Sequence, residues 1–139
     1  MIQAVIDRLT ATTTVFSAIL PAEELDALSR GVAPKSGTVF VLPYRERAEP
    51  NEHATGVFRQ PVAVQILVAF VVRRHDDAKG GKRAASFDSF KSEIEQSLAG
   101  WAIAPEDEPF ELVSGQIGSL GNGATIYVQT WQTSRTLEA

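Results

Sequence analysis

The chain has 139 residues, a formal net charge of -4 and 44% hydrophobic residues, the size and composition of one globular domain. It contains no cysteine, which excludes disulfide scaffolds, thiolate metal sites and cysteine nucleophiles. The negative net charge disfavours nucleic-acid binding, which calls for a basic domain. We therefore expect a single domain over residues 1–139 with no direct nucleic-acid recognition.

The N-terminal part predicts two short helices followed by a strand. Apolar residues at helical spacing in "IQAVIDRL" predict the first helix, which the threonine run at residues 12–14 ends. The segment "PAEELDALSRG" predicts a second helix, because its proline and glutamates suit a helix start and its glycine a helix end. The β-branched and aromatic segment "TVFVLPY", residues 38–44, predicts a strand. A polar loop follows it.

The stretch from residue 57 to residue 73 predicts an unusually long strand. Read at period two, one side is almost purely apolar and the other is mixed. Its apolar run is too short for a membrane span of about 20 residues. Pro61 cannot donate a ladder hydrogen bond, so we expect the strand to lie at a sheet edge or to be bulged there. At ~3.3 Å per residue it extends roughly 50 Å, so part of it should project beyond the core, or bend at Pro61.

The C-terminal half predicts one helix and a hairpin. Residues 83–99 carry an apolar stripe at helical spacing. Residues 110–120 and 124–137 read as strands joined by the tight turn "GNG". The whole order predicts an α+β fold: a mostly antiparallel sheet of about four strands, one of them long, with helices packed on one face.

Only one cluster in the sequence looks like a catalytic or metal site. His75, Asp76 and Asp77 are adjacent on a polar turn, where three side chains do not easily converge on one ion. No set of nucleophile, base and orienting group can be assembled. We therefore expect no enzyme and no catalytic, metal-binding or cofactor-binding residues. The alternative from another class is a small ligand-binding or hydrolytic α+β domain that uses these three residues.

The long strands carry polar side chains that a single chain gains little from placing there. These are Arg59, Gln65, Gln129, Gln132 and Arg135. Either they face water, or they belong to a surface between subunits, where arginine and aromatic residues are enriched. The residues alone leave both readings open.

Four blocks of the sequence carry a resemblance to a known family. They are "VIDRL", "VFVLPYRERAEPNEHATGVFRQPVAVQILVAFVV", "DDAKGG" and "LAGWAIAPEDEPFELVSGQI", in this order over nearly the whole chain. In these blocks the chain resembles the phage tail terminator proteins, the tail completion proteins of long-tailed bacteriophages. The C-terminal "QTWQTSRTLEA" departs from the family pattern.

The resemblance implies a structural virion protein that assembles into a ring, commonly a hexamer, at the head-proximal end of the tail. The ring would cap the tail tube, stop its polymerisation and offer a surface to the head connector, after assembly in the host bacterial cytoplasm. Implied partners are further copies of the chain, the tail tube protein, the head-tail connector or completion protein and the tape measure protein, with no membrane. Another neck or head-tail completion protein is the alternative. The expected inter-subunit or tube contacts are Arg45, Arg47, Asn51, Arg59, Gln60, Arg73, Tyr127 and Trp131.

Overall fold

The computed structural model describes residues 1–53, 55–73 and 81–139, with only the backbone described for residues 81–83. Across these ranges the chain forms two α-helices and a sheet of five strands. In chain order the elements are α1 (Ile2–Thr12), β1 (Ala18–Pro21), a 3-10 turn (Asp26–Ser29), β2 (Thr38–Ala48), β3 (Arg59–Arg73), α2 (Gly81–Leu98), β4 (Glu111–Ser119) and β5 (Ala124–Glu138). The predicted α+β class is confirmed.

The sheet is mixed and has one strand more than the four antiparallel strands predicted. Its spatial order is β1-β2-β3-β5-β4. β1 runs parallel to β2, and the other neighbouring pairs are antiparallel. The additional strand is β1, whose four residues are too few to show the alternation by which strands are recognised in a sequence.

The helix predicted over residues 21–31 is wrong. Pro21 ends β1 instead of starting a helix, and only Asp26–Ser29 form a single 3-10 turn. Helix propensity is a weak preference, and here Pro21, the expected helix start, is instead paired with Val41 of β2. Leu25 and Leu28 nevertheless pack against the core.

β3 lies in the middle of the sheet, but Pro61 lies one residue beyond the last pair of β2 with β3, so the predicted edge is found locally and there is no bulge. β5 pairs with β3 along all of its 15 residues, and β2 pairs with it on the other side. The carbonyl of Pro61 accepts a hydrogen bond of 2.8 Å from the N–H of Glu49, so the nitrogen of Pro61 also faces the β2 side. Because β2 has already ended at Ala48, the missing N–H breaks no bond of either ladder.

The length predicted for the long strand is confirmed, but β3 does not project alone. Its 15 residues span roughly 50 Å. β5 accompanies it over that whole distance, and β2 reaches as far as Val62. The exposed segment at this end of the sheet belongs to β2, since its residues 43–48 are all exposed.

The core lies between the sheet and the two helices, which pack on the same side of it. The alternation predicted for β3 is confirmed there, because every second side chain is buried. The residues of this core include Val5 and Leu9 of α1, Ile94 and Leu98 of α2, and Val62, Val64, Ile66, Val68, Phe70 and Val72 of β3. We call this the helix side of the sheet. Neither helix in the described ranges is long and apolar enough to cross a membrane.

Candidate functional site

The side of the sheet opposite the helices is only partly covered. Residues 22–34 pack over one half of it, where Leu25, Leu28 and Ala33 contact apolar side chains of the strands. On the other half a groove runs across β2, β3 and β5. It is lined by Arg45, Arg47, Ala63, Gln65 and Gln132, which we call the open face.

A β-bulge at Tyr44 brings the two arginines of β2 to the open face. Pro43 lies opposite Ile66 and Arg45 lies opposite Gln65, so Tyr44 is an extra residue in β2. If Tyr44 paired regularly with Gln65 and did not bulge, the alternation of side chains would direct both arginines to the helix side. Pro43 suits this irregular position because it has no N–H to offer to the ladder. The bulged pairing at Tyr44 therefore decides which side of the sheet the arginines occupy.

A row of hydrogen bonds crosses the open face from strand to strand. The Arg45 Nε–H donates to Gln65 Oε1 at 2.7 Å, and Gln65 Nε2 donates to Gln132 Oε1 at 2.8 Å. The guanidinium of Arg45 also lies 5.2 Å from the ring centroid of Tyr44. Arg47 is exposed and forms no hydrogen bond or ion pair with the described residues. The open face is thus an ordered polar surface in which Arg47 has no charged partner among the described residues.

Three further predicted contact residues lie at the same end of the sheet. Asn51 folds the loop between β2 and β3, since its Oδ1 accepts hydrogen bonds from the N–H groups of Arg59 and His53. The guanidinium of Arg59 pairs with the Glu138 carboxylate at 3.1 Å in an exposed position. Gln60 is half-buried beside it. These residues border the open face and do not form part of its groove.

The remaining three predicted residues lie elsewhere. Arg73 is at the opposite end of β3, half-buried. Tyr127 is half-buried on the helix side and packs against Phe70, with ring centroids 5.5 Å apart. Trp131 is completely buried, and its Nε1–H donates to Gln129 at 3.1 Å. We do not retain Trp131 as a contact residue, because its side chain is part of the core.

An ion pair ties β2 to β5 on the helix side. Two nitrogens of Arg135 donate to the two carboxylate oxygens of Glu46, each at 3.1 Å, across the intervening strand β3. This hydrogen bonding by Arg135 lowers the pKa of Glu46, and the same contact raises the pKa of Arg135. Both side chains are substantially exposed, so the pair neutralises two charges at the surface and contributes little stability.

β4 forms one edge of the sheet, and all of its nine residues are exposed. Leu112, Val113 and Ile117 are apolar side chains at this edge, and Ile117 is 61% exposed. Within the described ranges, β4 pairs with β5 on one side and with no strand on the other. Unpaired edges of this kind are templates for contacts with another chain.

Comparison with known proteins identifies the family. The profile of the phage tail terminator proteins matches residues 1–139, which is the whole sequence. The chain belongs to the phage tail terminator family. This makes it a structural protein of the tail and a component of the virion, as the resemblance of the sequence blocks implied.

The fold of this tail terminator is also found in a solved virion. It superposes with a TM-score of 0.62 on a chain from the "virion of native gene transfer agent (GTA) particle", covering 100% of this chain and 95% of that chain. The two sequences are 12% identical, so the likeness demonstrates a common fold. No curated protein matches the sequence.

The alternative site at His75, Asp76 and Asp77 lies outside the described residues of the terminator. Within residues 1–53, 55–73 and 81–139, no group of three or more His, Cys, Asp or Glu side chains is placed to hold a metal ion. The described residues therefore supply no further metal-ligating cluster for a ligand-binding or hydrolytic site.

The sequence pointed to the residues of the open face but did not show that they lie together. Arg45 and Arg47 stood out through the family blocks, and Gln65 and Gln132 as polar residues on strands. Their meeting depends on the strand register and on the bulge, neither of which can be read from one sequence. The exposed edge of β4 was missed, although its run of small and polar residues, "SGQIGS", is a signal for an uncovered strand.

Proposed function

We propose that this protein caps the end of the phage tail tube as a ring, stops tube polymerisation and provides the surface for joining to the head connector. The observation that carries the proposal is the family match over all 139 residues. The ring is a hexamer at the head-proximal end of the tail. It is assembled in the host cytoplasm from copies of this chain.

The open face and the β4 edge support a ring. Each subunit of a ring presents two different surfaces to its two neighbours, because a contact between unlike surfaces can repeat around an axis. The open face is polar and charged, whereas the exposed edge of β4 offers unpaired backbone groups and apolar side chains. The chain thus carries distinct surfaces of the kind that a closed head-to-tail assembly requires.

The surfaces that do not contact neighbouring copies are assigned to the other partners. These are the tail tube protein below the ring, the head-tail connector above it and the tape measure protein at its axis. Arg59 and Gln60 lie at the end of the sheet, next to the loop of residues 49–58. We assign this end to contacts with the tube or with a neighbouring copy.

The test is negative-stain electron microscopy of tails produced with and without this protein. We expect tubes of unregulated length that never join heads when the protein is absent, and tails of uniform length when it is supplied again. A head-tail completion protein of another kind would leave tail length uniform and prevent only the joining to heads. Tails of normal length without the protein would therefore contradict the terminator function.

A further inference from the structure

An acidic loop lies on the side of the sheet opposite the open face. Residues 105–109, "PEDEP", contain three consecutive carboxylates, and Glu106 and Glu108 are exposed. The loop is anchored on the helix side, because the hydroxyl of Thr133 donates a hydrogen bond to the carbonyl of Glu108. We call residues 105–109 the acidic loop.

The acidic loop is held in one conformation by its two ends. The N–H of Phe110 donates a hydrogen bond of 2.8 Å to the carbonyl of Trp101, and the two rings stack with centroids 5.7 Å apart. Inside the loop, the N–H of Asp107 donates to the carbonyl of Ala104 at 3.0 Å. A loop fixed in this way presents its carboxylates with little loss of conformational entropy on binding.

The acidic loop and the open face lie back to back at the same place in the sheet. Gln132 belongs to the open face, and its neighbour Thr133 holds the loop on the other side. The sheet separates the two surfaces, so the loop of a chain cannot reach the arginines of the same chain.

The charges of the two surfaces are complementary. Arg45 and Arg47 supply positive charge on the β2 side of the open face, and Glu111 lies across from Gln132 at its β4 side. The other arginines at this end, Arg59 and Arg135, are paired with carboxylates of their own chain. Arginine binds carboxylates through charge-assisted and often bidentate hydrogen bonds. The β2 side of the open face therefore fits an anionic partner.

We propose that the acidic loop of one copy docks on Arg45 and Arg47 in the open face of the next copy. The contact joins two unlike surfaces, so it is heterologous and propagates from copy to copy, and it closes into a ring when the rotation between copies permits. This inference rests on the proposed ring, for which it names one contact between subunits. The β4 edge is not part of this contact.

Disulfide cross-linking tests the docking directly, because the chain has no cysteine. We introduce Arg47→Cys and Glu106→Cys together, isolate tails that carry the protein and oxidise them. The two positions of one chain are on opposite sides of the sheet, too far apart for a disulfide, so any bridge forms between copies. We expect a ladder of covalent multimers on a non-reducing gel. The matched control combines Arg30→Cys with Glu106→Cys, and we expect only monomers from it.

Charge reversal provides a second test. The variant Arg45→Glu with Arg47→Glu should bind tails at least about tenfold more weakly, as reversed charges repel. The variant Glu106→Lys with Glu108→Lys should show the same loss. All four changes in one chain should restore binding, and so should a mixture of the two variants, because each loop then meets a face of opposite charge. The control variant Glu23→Lys with Glu24→Lys should bind normally.

The docking and the proposed function fail in different ways. Tails of uniform length without a cross-linked ladder, or charge variants that bind tails as well as the unchanged protein, would overturn the docking and leave the terminator function intact. A combined four-residue variant that is folded by circular dichroism but does not regain binding would also overturn it. The proposed function is tested separately, by comparing tail length with and without the unchanged protein. Tails of normal length in its absence would overturn the function.

Discussion

The phenol of Tyr127 lies over Gly115 on the neighbouring strand, so close that a Cβ at position 115 would be 2.0 Å from its hydroxyl oxygen. The ring cannot simply move aside, because it packs against Phe87 with centroids 4.9 Å apart and against Phe70. Gly115 therefore allows an aromatic side chain of β5 to reach across β4. This contact fixes the edge strand to the core.

We predict that Gly115→Ala destabilises the protein by about 1–3 kcal/mol, because overpacking displaces the Tyr127 ring. The matched control is Gly118→Ala on the same strand, where the nearest atom to a Cβ is Ile126 Cγ2 at 3.7 Å. The free energy of unfolding from chemical denaturation measures both. Equal losses for the two variants would contradict the importance of the ring contact.

Trp131 is predicted to be a stability residue. It donates to Gln129, whose own side-chain amide donates to Glu95 of α2 at 2.9 Å. Trp131→Phe removes the donor and leaves a void in the core, so we expect a loss of about 2–4 kcal/mol in the free energy of unfolding. Trp101→Phe, at a half-buried position, is the control and should cost less. If the substitution impaired assembly and left the free energy of unfolding unchanged, Trp131 would be a contact residue between subunits and not a stability residue.

The Glu46–Arg135 pair predicts a small dependence of stability on pH. The pKa of Glu46 is lowered in the folded protein, so its contribution is present above the unfolded value of about 4.3 and disappears as the pH falls through the lower folded pKa. Because the pair is exposed, we expect less than about 1 kcal/mol.

A double-mutant cycle with Glu46→Gln and Arg135→Gln measures this coupling from unfolding free energies. We expect a favourable coupling energy at pH 7 that shrinks as the pH is lowered below the unfolded pKa of the carboxyl group. A coupling energy that grows toward low pH would have the wrong sign for this pair.

Arg59→Glu is predicted to weaken the ring and leave the fold intact. The substitution breaks an exposed ion pair with Glu138 and places two carboxylates side by side, which costs little in a solvated position. At an interface the same reversal is costly, because a like charge is brought toward the partner. Light scattering reports the oligomer size and circular dichroism the fold. An unchanged oligomer would remove Arg59 from the contact surface, and Arg30→Glu is the control.

The sequence predicts the long elements of this fold because their periodicity covers many residues. The side-chain alternation of β3, the apolar stripe of α2 and the turn between β4 and β5 all appear as expected. β1 and the 3-10 turn are too short for a periodic signal. The structure of β1 depends on its pairing with β2, which is a long-range interaction.

The position of Trp131 shows why the candidate site was predicted only in part. Gln129 and Trp131 lie on the same side of β5. In the sequence, the polar Gln129 indicated that this side is exposed to solvent or to a partner. It is in fact the buried side, where Glu95 and Trp131 satisfy the polar groups of Gln129. A buried polar group with its own partners is indistinguishable from a surface residue in a single sequence.

The bulge at Tyr44 constrains how this protein can evolve. Substitutions of Tyr44 leave the count of residues in β2 unchanged, and so keep the following side chains on their present sides. Deleting Tyr44 would leave Arg45 opposite Gln65 and keep the side chains up to Ala48 on their present sides. A regular ladder in which Tyr44 itself paired with Gln65 would exchange those sides and turn the arginines toward the helices. We therefore expect related chains either to keep the bulge or to lack one residue at this position, because both arrangements leave the arginines on the open face.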